Sequence, residues 1–199
     1  MIRKAYTDPQ EFHTQNQALD TALPFLSDTG ILHTPLTIGN KTIPNRLVCQ
    51  AMEGCDGTPS GSPDILTKRR YDRFAKGGAG LIWFEATAVI KEGRANPRQL
   101  YINESNLDNF KKQVESIKET TLKENGHEPL IIMQATHSGR YSKPFGEPRP
   151  IIAVNNPIFE KDYPIDKSRI LSDERLDSVD KRIYDLLQGS ETRKESVGL

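Results

Sequence analysis

Three short stretches of this 199-residue chain carry side chains suited to holding a flat, polar ring. Each stretch follows an apolar run, at a position where a sheet packed only for stability would use Val, Ile or Leu. A glutamine amide both donates and accepts hydrogen bonds, and an alanine leaves room for the face of a ring. The stretches are Gln50-Ala51-Met52-Glu53-Gly54-Cys55, Glu85-Ala86-Thr87 and the segment 134–140, which begins with Gln134. Their small and amide-bearing residues predict a site for a small molecule with a flat polar ring.

Each of these residues also has an ordinary structural interpretation. Gln134 can satisfy a buried backbone group, because buried polar groups are normally hydrogen-bonded. Met52 can fill a gap in the core, and Glu53 can be an exposed carboxylate. Cys55 has no evident partner in the sequence, which favours an inert thiol. These alternatives stay open at the level of sequence.

Neighbouring polar residues have structural interpretations too. His137 fits a hydrogen-bonded structural histidine, and Glu85 with Arg140 can form an ion pair. The basic run 68–70 is typical of the solvated face of a helix. No Gly-x-Gly-x-x-Gly or P-loop pattern is present, which disfavours a nicotinamide-type Rossmann fold and an NTPase.

Strands must position the candidate residues, and the sequence predicts where they lie. Gly39-Asn40 between two short apolar segments predicts a hairpin within 34–46. Apolar runs at 47–52, 80–89 and 130–136 lack polar alternation, which predicts buried parallel strands.

Helices are predicted between the runs from their end signals. A Ser-Pro-Asp sequence at 62–64 begins the first helix, and Ser105 with Asp108 forms a capping box that begins the second. Asn125-Gly126 ends the second helix, and Ser172 begins a last one. A proline-rich connection of unusual length, 142–171, precedes it.

Alternating strands and helices predict a parallel α/β sheet built from right-handed crossovers. A doubly wound sheet and a TIM (β/α)₈ barrel both begin in this way, and periodicity alone leaves the choice open. In either architecture ligands bind at the carboxyl ends of the strands. The candidate residues lie toward or just after the carboxyl ends of the three runs, so we expect them at this edge.

Composition restricts the class of protein. The chain carries 27 basic and 27 acidic residues, so it has no long-range field to hold nucleic acid. Its N-terminus has no apolar run of membrane or signal-peptide type. The two cysteines, Cys49 and Cys55, are too few for a disulfide framework or a zinc site. We therefore expect a soluble cytoplasmic protein with no metal, nucleic-acid or membrane partner.

Beyond single residues, a series of segments keeps a fixed order and spacing between residues 36 and 140. The segments are LTIGNKTIPNRLV at 36–48, QAM at 50–52, RY at 70–71, AKGGAGLI at 75–82, EATAV at 85–89, GR at 93–94 and QATHSGR at 134–140. Together they resemble the old yellow enzyme family, the flavin-dependent NAD(P)H oxidoreductases and ene-reductases.

The resemblance implies a TIM barrel that holds FMN at its strand ends and passes a hydride from NAD(P)H to an activated alkene or similar acceptor. It assigns flavin contacts to the stretch 50–53, to Ala86 and to Gln134, and a place on the substrate side to Cys55. His137 and Arg140 lie in a family motif and are interpreted as structural. Catalytic residues stay unassigned.

Departures from the family pattern are also informative. Ala51 stands where the family commonly has Pro, and Glu53 stands where a Cys or Thr that tunes the flavin often lies. A complete barrel needs about 250 residues, whereas this chain holds about three βα units. The family's substrate-binding pair, a later flavin-contacting Arg, its Tyr proton donor and the phosphate cradle have no counterpart. We therefore expect a partial, truncated barrel that is inactive or incomplete by itself.

Three regions follow from this interpretation: an arm at 1–30, the N-terminal half of an FMN-binding barrel at 31–182, and an aberrant tail at 183–199. One codon choice for the tail, read one nucleotide later, encodes residues typical of the family's helix, which suggests a frameshift near 181–182. The alternatives are a non-catalytic half-barrel that self-associates or complements a second chain, and a pseudogene product. Three strands with open edges favour association.

Overall fold

The computed structural model describes residues 8–191, without the side chains of 183, 184 and 186–191. The helices are α1 (Pro9–Ala18), α2 (Ile65–Lys76), α3 (Leu107–Asn125) and α4 (Asp173–Glu191). The strands are β1 (Leu36–Ile38), β2 (Lys41–Ile43), β3 (Val48–Cys49), β4 (Leu81–Ala88) and β5 (Leu130–Thr136).

The predicted hairpin is confirmed. Strands β1 and β2 pair antiparallel, with Leu36 opposite Ile43. Gly39 in the connecting turn has a φ of 59°, a conformation that glycine adopts without steric cost. Pro44 then leads the chain out of the hairpin toward β3.

The predicted parallel sheet is confirmed in the order β3, β4, β5. Strand β5 has the predicted bounds, whereas β3 covers only two residues of the predicted 47–52. The reason is a tight turn, in which the Met52 N–H donates to the Gln50 carbonyl at 2.9 Å and takes the chain out of the ladder. The residues after β3 therefore form a loop.

Helices α2 and α3 cover one face of the sheet. Ile82, Phe84 and Ile131 are buried against them, and the Tyr71 ring of α2 stacks on Phe84 with centroids 4.3 Å apart. Strand residues on one face alternate with residues on the other, so the opposite face of β4 carries Trp83. Trp83 is 42% exposed, because no closed barrel is formed by residues 8–191.

Two predicted helix starts are wrong. Asp64, not Ser62, is the N-cap of α2, and its backbone N–H donates to the Thr67 hydroxyl at 3.3 Å in a capping box. Helix α3 has no side-chain cap, because Ser105 turns back and donates to the Asn103 side chain at 2.6 Å. The predicted end of α3 is confirmed by Gly126, whose φ is 74°.

Helix α1 lies in the segment interpreted from sequence as an arm, and the sequence analysis did not predict it. Asp8 caps it by accepting from the Glu11 N–H at 2.8 Å, and Pro9 occupies its first turn. The Phe12 ring contacts Phe25 with centroids 5.5 Å apart. None of the helix residues is buried.

The predicted long connection, 142–171, has little regular structure apart from a 3₁₀ helix at Lys167–Arg169 and a bridge between Ile152 and Ile170. Helix α4 follows, and its Arg182 donates to the Val89 carbonyl at 2.9 Å just beyond β4. Residues 183–191 of the predicted aberrant tail continue this helix, and 192–199 lie outside the described residues. No helix in the described part of the chain is long and apolar enough to span a membrane.

Candidate functional site

A buried carboxylate organises the carboxyl end of the sheet. Glu85 on β4 is fully buried, and its carboxylate accepts from the Gly54 N–H at 2.8 Å and from Arg70 Nη2 at 2.7 Å. Its own backbone N–H donates to the Tyr71 hydroxyl at 2.7 Å. One residue thus joins β4 to helix α2 and to the loop after β3.

Arg70 extends this connection along the loop. Its Nη2 also contacts Asp56 Oδ1 at 2.9 Å, and its Nη1 donates to the Met52 carbonyl at 3.2 Å. Gly54 has no space for a side chain, because a Cβ there would lie 2.1 Å from Nη2 of Arg70. The guanidinium therefore fixes the backbone of the loop that carries five of the predicted site residues.

These contacts correct two expectations from sequence. Glu85 pairs with Arg70, not with Arg140, which instead forms an ion pair with Glu160. Arg70 is not on the solvated face of α2, although Lys68 is exposed as expected. The helix turns Arg70 toward the sheet, where its charge offsets that of a carboxylate that water does not reach.

Burial raises the pKa of Glu85 above its ordinary value. The Gly54 N–H and the Arg70 guanidinium act in the opposite direction, because both favour the ionised form, but burial outweighs them. Burial also raises the pKa of the Tyr71 phenol, with the neighbouring Glu85 charge adding to the effect.

A β-bulge lies at the predicted ring site. Phe84 is opposite Met133 and Thr87 is opposite Ala135, so two residues of β4, Glu85 and Ala86, face one residue of β5, Gln134. A bulge re-aims side chains locally and is common beside active sites. Glu85 belongs to the buried network, and Ala86 lies opposite Gln134 in the register.

The structure leaves two predicted amides free at this edge. Gln50 and Gln134 are exposed, and within residues 8–191 neither side chain has a hydrogen-bond partner. The interpretation of Gln134 as satisfying a buried group is therefore wrong. Met52 is 69% exposed, so its interpretation as core is wrong too. Ala51 and Ala86 are partly buried.

Glu53 is half-buried rather than an exposed carboxylate. Its Oε1 accepts from Asn96 Nδ2 at 2.8 Å and its Oε2 from Gln99 Nε2 at 3.4 Å. Both amides come from the loop after β4, and Gln99 Nε2 also donates to the Ala86 carbonyl at 3.2 Å. Asn96 and Gln99 were not predicted from the sequence, although their position just after the GR motif at 93–94 was a signal.

Cys55 has two partners that the sequence did not reveal. Its Sγ lies 3.5 Å from Oε1 of Glu53 and 3.1 Å from Nδ2 of Asn96. Partial burial and the Glu53 charge raise the pKa of the thiol, which keeps it protonated near neutral pH. This agrees with the interpretation of an unactivated thiol. The backbone at Cys55 has a φ of 50°, unusual for a residue with a side chain.

His137 follows β5 and has a structural contact. The Gly139 N–H donates to His137 Nδ1 at 3.0 Å, and burial lowers the pKa of the imidazole. A neutral, hydrogen-bonded ring matches the structural interpretation from sequence. Across the part of the chain that the structure describes, no group of three or more His, Cys, Asp or Glu side chains is placed to hold a metal ion.

Comparison with known proteins identifies relatives that are longer than this chain. An NADPH dehydrogenase of Geobacillus sp. (strain WCH70) is 36% identical over 120 residues, which are 59% of this chain and 33% of the relative. An NADPH dehydrogenase of Geobacillus thermodenitrificans (strain NG80-2) is 29% identical and covers 83% of this chain, and 45% of its own length is matched. The chain thus spans less than half the length of these relatives.

Solved structures agree on the fold. A morphinone reductase variant in complex with tetrahydroNAD matches 81% of this chain and 46% of its own, with a TM-score of 0.57 and 20% identity. Such structural neighbours are TIM-barrel enzymes of the old yellow enzyme type. The family model described as NADH:flavin oxidoreductase / NADH oxidase matches residues 31–180. Since that match covers most of the chain, the protein belongs to this family, the old yellow enzyme family.

Proposed function

We propose that residues 31–182 form the N-terminal half of an FMN-binding TIM barrel, and that the end of its sheet holds the flavin ring. The observation that carries the proposal is the β-bulge, which places the small Ala86 beside the free amide of Gln134. When FMN is bound it supplies hydride transfer from NAD(P)H to a small electron acceptor, such as an activated alkene.

The residues at the sheet edge fit a flat ring with polar edges. The amides of Gln50 and Gln134 have no partner in residues 8–191, so both can donate to and accept from a ligand without breaking a protein contact. Ala51 and Ala86 add little bulk, which leaves space for the face of a ring. Met52 and Glu53 flank that space on the loop after β3.

The Glu85 and Arg70 pair gives this edge its rigidity. Arg70 holds the Met52 carbonyl and Glu85 holds the Gly54 N–H, so the loop after β3 is fixed relative to β4. Side chains held by buried hydrogen bonds lose less entropy when a ligand binds. In this proposal both residues position the flavin contacts and touch no substrate themselves.

The described part of the site holds the ring and not a phosphate. Arg70 is occupied by Glu85 and Asp56, and Arg94 is fully buried with both Nη atoms on backbone carbonyls, so neither presents its guanidinium to an anion at the surface. Cys55 lies at the exposed side of the loop, where we place the acceptor. Location in the cytoplasm, with 1–30 as a separate arm, remains a prediction.

A second candidate, a non-catalytic half-barrel that associates with another copy or with a complementing chain, is favoured by the uncovered face of the sheet. Val48 is 50% exposed and Trp83 is 42% exposed on strands whose other face is packed. Large apolar side chains on an open sheet face are typical of an interaction surface. Ultracentrifugation of the purified chain distinguishes a monomer from an assembly.

The test of flavin binding uses Trp83, the single tryptophan of the chain, as the reporter. Trp83 lies three residues before Ala86 on β4, about 10 Å along the strand, so a bound flavin quenches its fluorescence. Ala86→Leu fills the space beside Gln134 and should abolish quenching, whereas Ala18→Leu on exposed α1 should retain it. Equal quenching in both variants, or none in the folded wild-type chain, contradicts the proposed function.

A further inference from the structure

The largest fully buried side chain of the described residues belongs to Arg94. Its Nη1 donates to the Pro59 carbonyl at 2.9 Å and its Nη2 to the Gln99 carbonyl at 2.6 Å. Among the side chains that the structure describes, no carboxylate forms an ion pair with it. A buried cation is costly, so its retention here indicates that its hydrogen bonds fix something specific.

Arg94 fixes the backbone of Gln99, and the side chain of Gln99 then reaches two predicted site residues. Gln99 is itself buried, and its Nε2 lies between the Ala86 carbonyl at 3.2 Å and Glu53 Oε2 at 3.4 Å. Its Oε1 accepts from the Ala95 N–H, so the amide has a defined orientation. One amide therefore spans the ends of β3 and β4.

We propose that Gln99, held by Arg94, is a positioning residue that fixes the separation between Glu53 and the Ala86 end of β4, and thereby the width of the slot that a flat ring enters. The part concerning the ring rests on the proposed function. The part concerning Glu53 does not, because Gln99 contacts Glu53 in the protein alone.

Cys55 provides a readout of Glu53 that needs no flavin. The Glu53 carboxylate is close to the Cys55 thiol and contributes to its raised pKa. Without Gln99, Asn96 is the remaining amide that holds the Glu53 carboxylate, which is then freer to move away from Cys55. As it does so, the thiol ionises more readily and reacts faster with an aromatic disulfide reagent. Cys49→Ala serves as the background, so that Cys55 is the only thiol measured.

The variant is Gln99→Met, which keeps the length of the side chain and removes both donated hydrogen bonds. Its matched control is Gln113→Met, because Gln113 is also a buried glutamine but lies on α3. We expect the thiol reaction to be about fivefold faster in Gln99→Met, as for the loss of one hydrogen bond, and unchanged in Gln113→Met. In a Glu53→Gln background, Gln99→Met should cause no further change.

An unchanged or slower thiol reaction in folded Gln99→Met overturns the proposal, as does an equal acceleration in Gln113→Met. If Gln99→Met does not fold, Gln99→Asn keeps an amide that is too short to reach Glu53, and the same thiol reaction rates decide.

A second experiment measures riboflavin binding by the quenching of Trp83 fluorescence, and Gln99→Met should weaken binding about fivefold. Equal binding by Gln99→Met and wild type overturns the claim about the slot.

The thiol experiment and the riboflavin experiment test separate claims, so one claim can be wrong while the other stands. If the wild-type chain binds no riboflavin, the proposed function is contradicted, but the thiol rates still decide whether Gln99 positions Glu53. If the chain binds riboflavin and the thiol rates do not differ, the flavin site stands and the positioning role of Gln99 is wrong.

Discussion

The loop after β3 and the end of β5 contribute to the same edge of the sheet but are built in opposite ways. The loop after β3 is joined to its surroundings by Glu85, Arg70 and Gln99. The end of β5 carries Gln134, whose amide forms no hydrogen bond with any group that the structure describes. The difference teaches that the loop after β3 is held in place by hydrogen bonds within the protein. The amide of Gln134, on the other side of the candidate site, is left for a ligand.

Breaking the ion pair between Arg70 and Glu85 should cause the largest loss of stability. Arg70→Met leaves the buried Glu85 carboxylate without its cation, and removal of one partner from a buried pair costs about 3–5 kcal/mol. Urea unfolding followed by circular dichroism measures the change. Lys76→Met is the control, since Lys76 pairs with Asp72 on the exposed side of the same helix and should leave the midpoint unchanged. Equal losses of stability in both variants would show that the Glu85 network does not fix the loop after β3.

The pH dependence of stability tests the burial of Glu85. Its pKa in the folded chain is raised above the ordinary 4.5, so between the two values the folded state binds more protons than the unfolded state. The Glu85 contribution to stability is therefore full below pH 4.5 and falls as the pH rises through the folded pKa. Glu85→Gln should remove this fall in stability, and urea midpoints of the wild type and the variant, measured from below pH 4.5 upward, test this. Parallel dependence of the two midpoints on pH would refute the prediction.

The free amide should matter for binding and not for stability. Gln134→Leu should leave the urea midpoint unchanged and weaken flavin binding about fivefold, since one hydrogen bond to the ring is lost. Gln17→Leu, an exposed glutamine on α1, is the matched control and should bind like the wild type. A loss of stability in Gln134→Leu would mean that the amide has a structural role after all.

The smallest expected effect concerns the phosphate. The guanidinium groups of Arg70 and Arg94 are both used by the protein, so FMN and riboflavin should bind to this chain within about threefold of each other, whereas a charge-assisted phosphate contact would separate them further. Parallel titrations of Trp83 fluorescence measure both affinities. A strong preference for FMN would show that a phosphate site exists within the chain.

Local patterns predicted the elements well where the signal lies in neighbouring residues. The hairpin turn at Gly39, the strand β5 and the C-cap at Gly126 follow from turn chemistry and apolar runs. Helix starts were less predictable, because Asp64 and Ser105 each have several possible partners nearby. The short β3 was also missed, since its end depends on a turn that an apolar run does not reveal.

Candidate site residues could be proposed from the sequence where they stand at strand ends, whereas the residues that hold them across loops were missed. Ala86 and Gln134 were identified from sequence, and the bulge that brings them together was not, because register is a property of two strands. The pairing of Glu85 with Arg70 was likewise hidden, since it joins residues 15 positions apart through the packing of α2. Gln99 lay outside every predicted element.

The most direct test of the account is an NMR titration of the ¹⁵N-labelled chain with riboflavin, followed at the glutamine side-chain amides. If the strand ends hold the ring, the resonances of Gln50 and Gln134 shift and saturate together, while that of Gln113, buried on α3, does not move. Saturating shifts confined to residues far from the sheet edge, or the absence of shifts in the folded chain, would contradict the account.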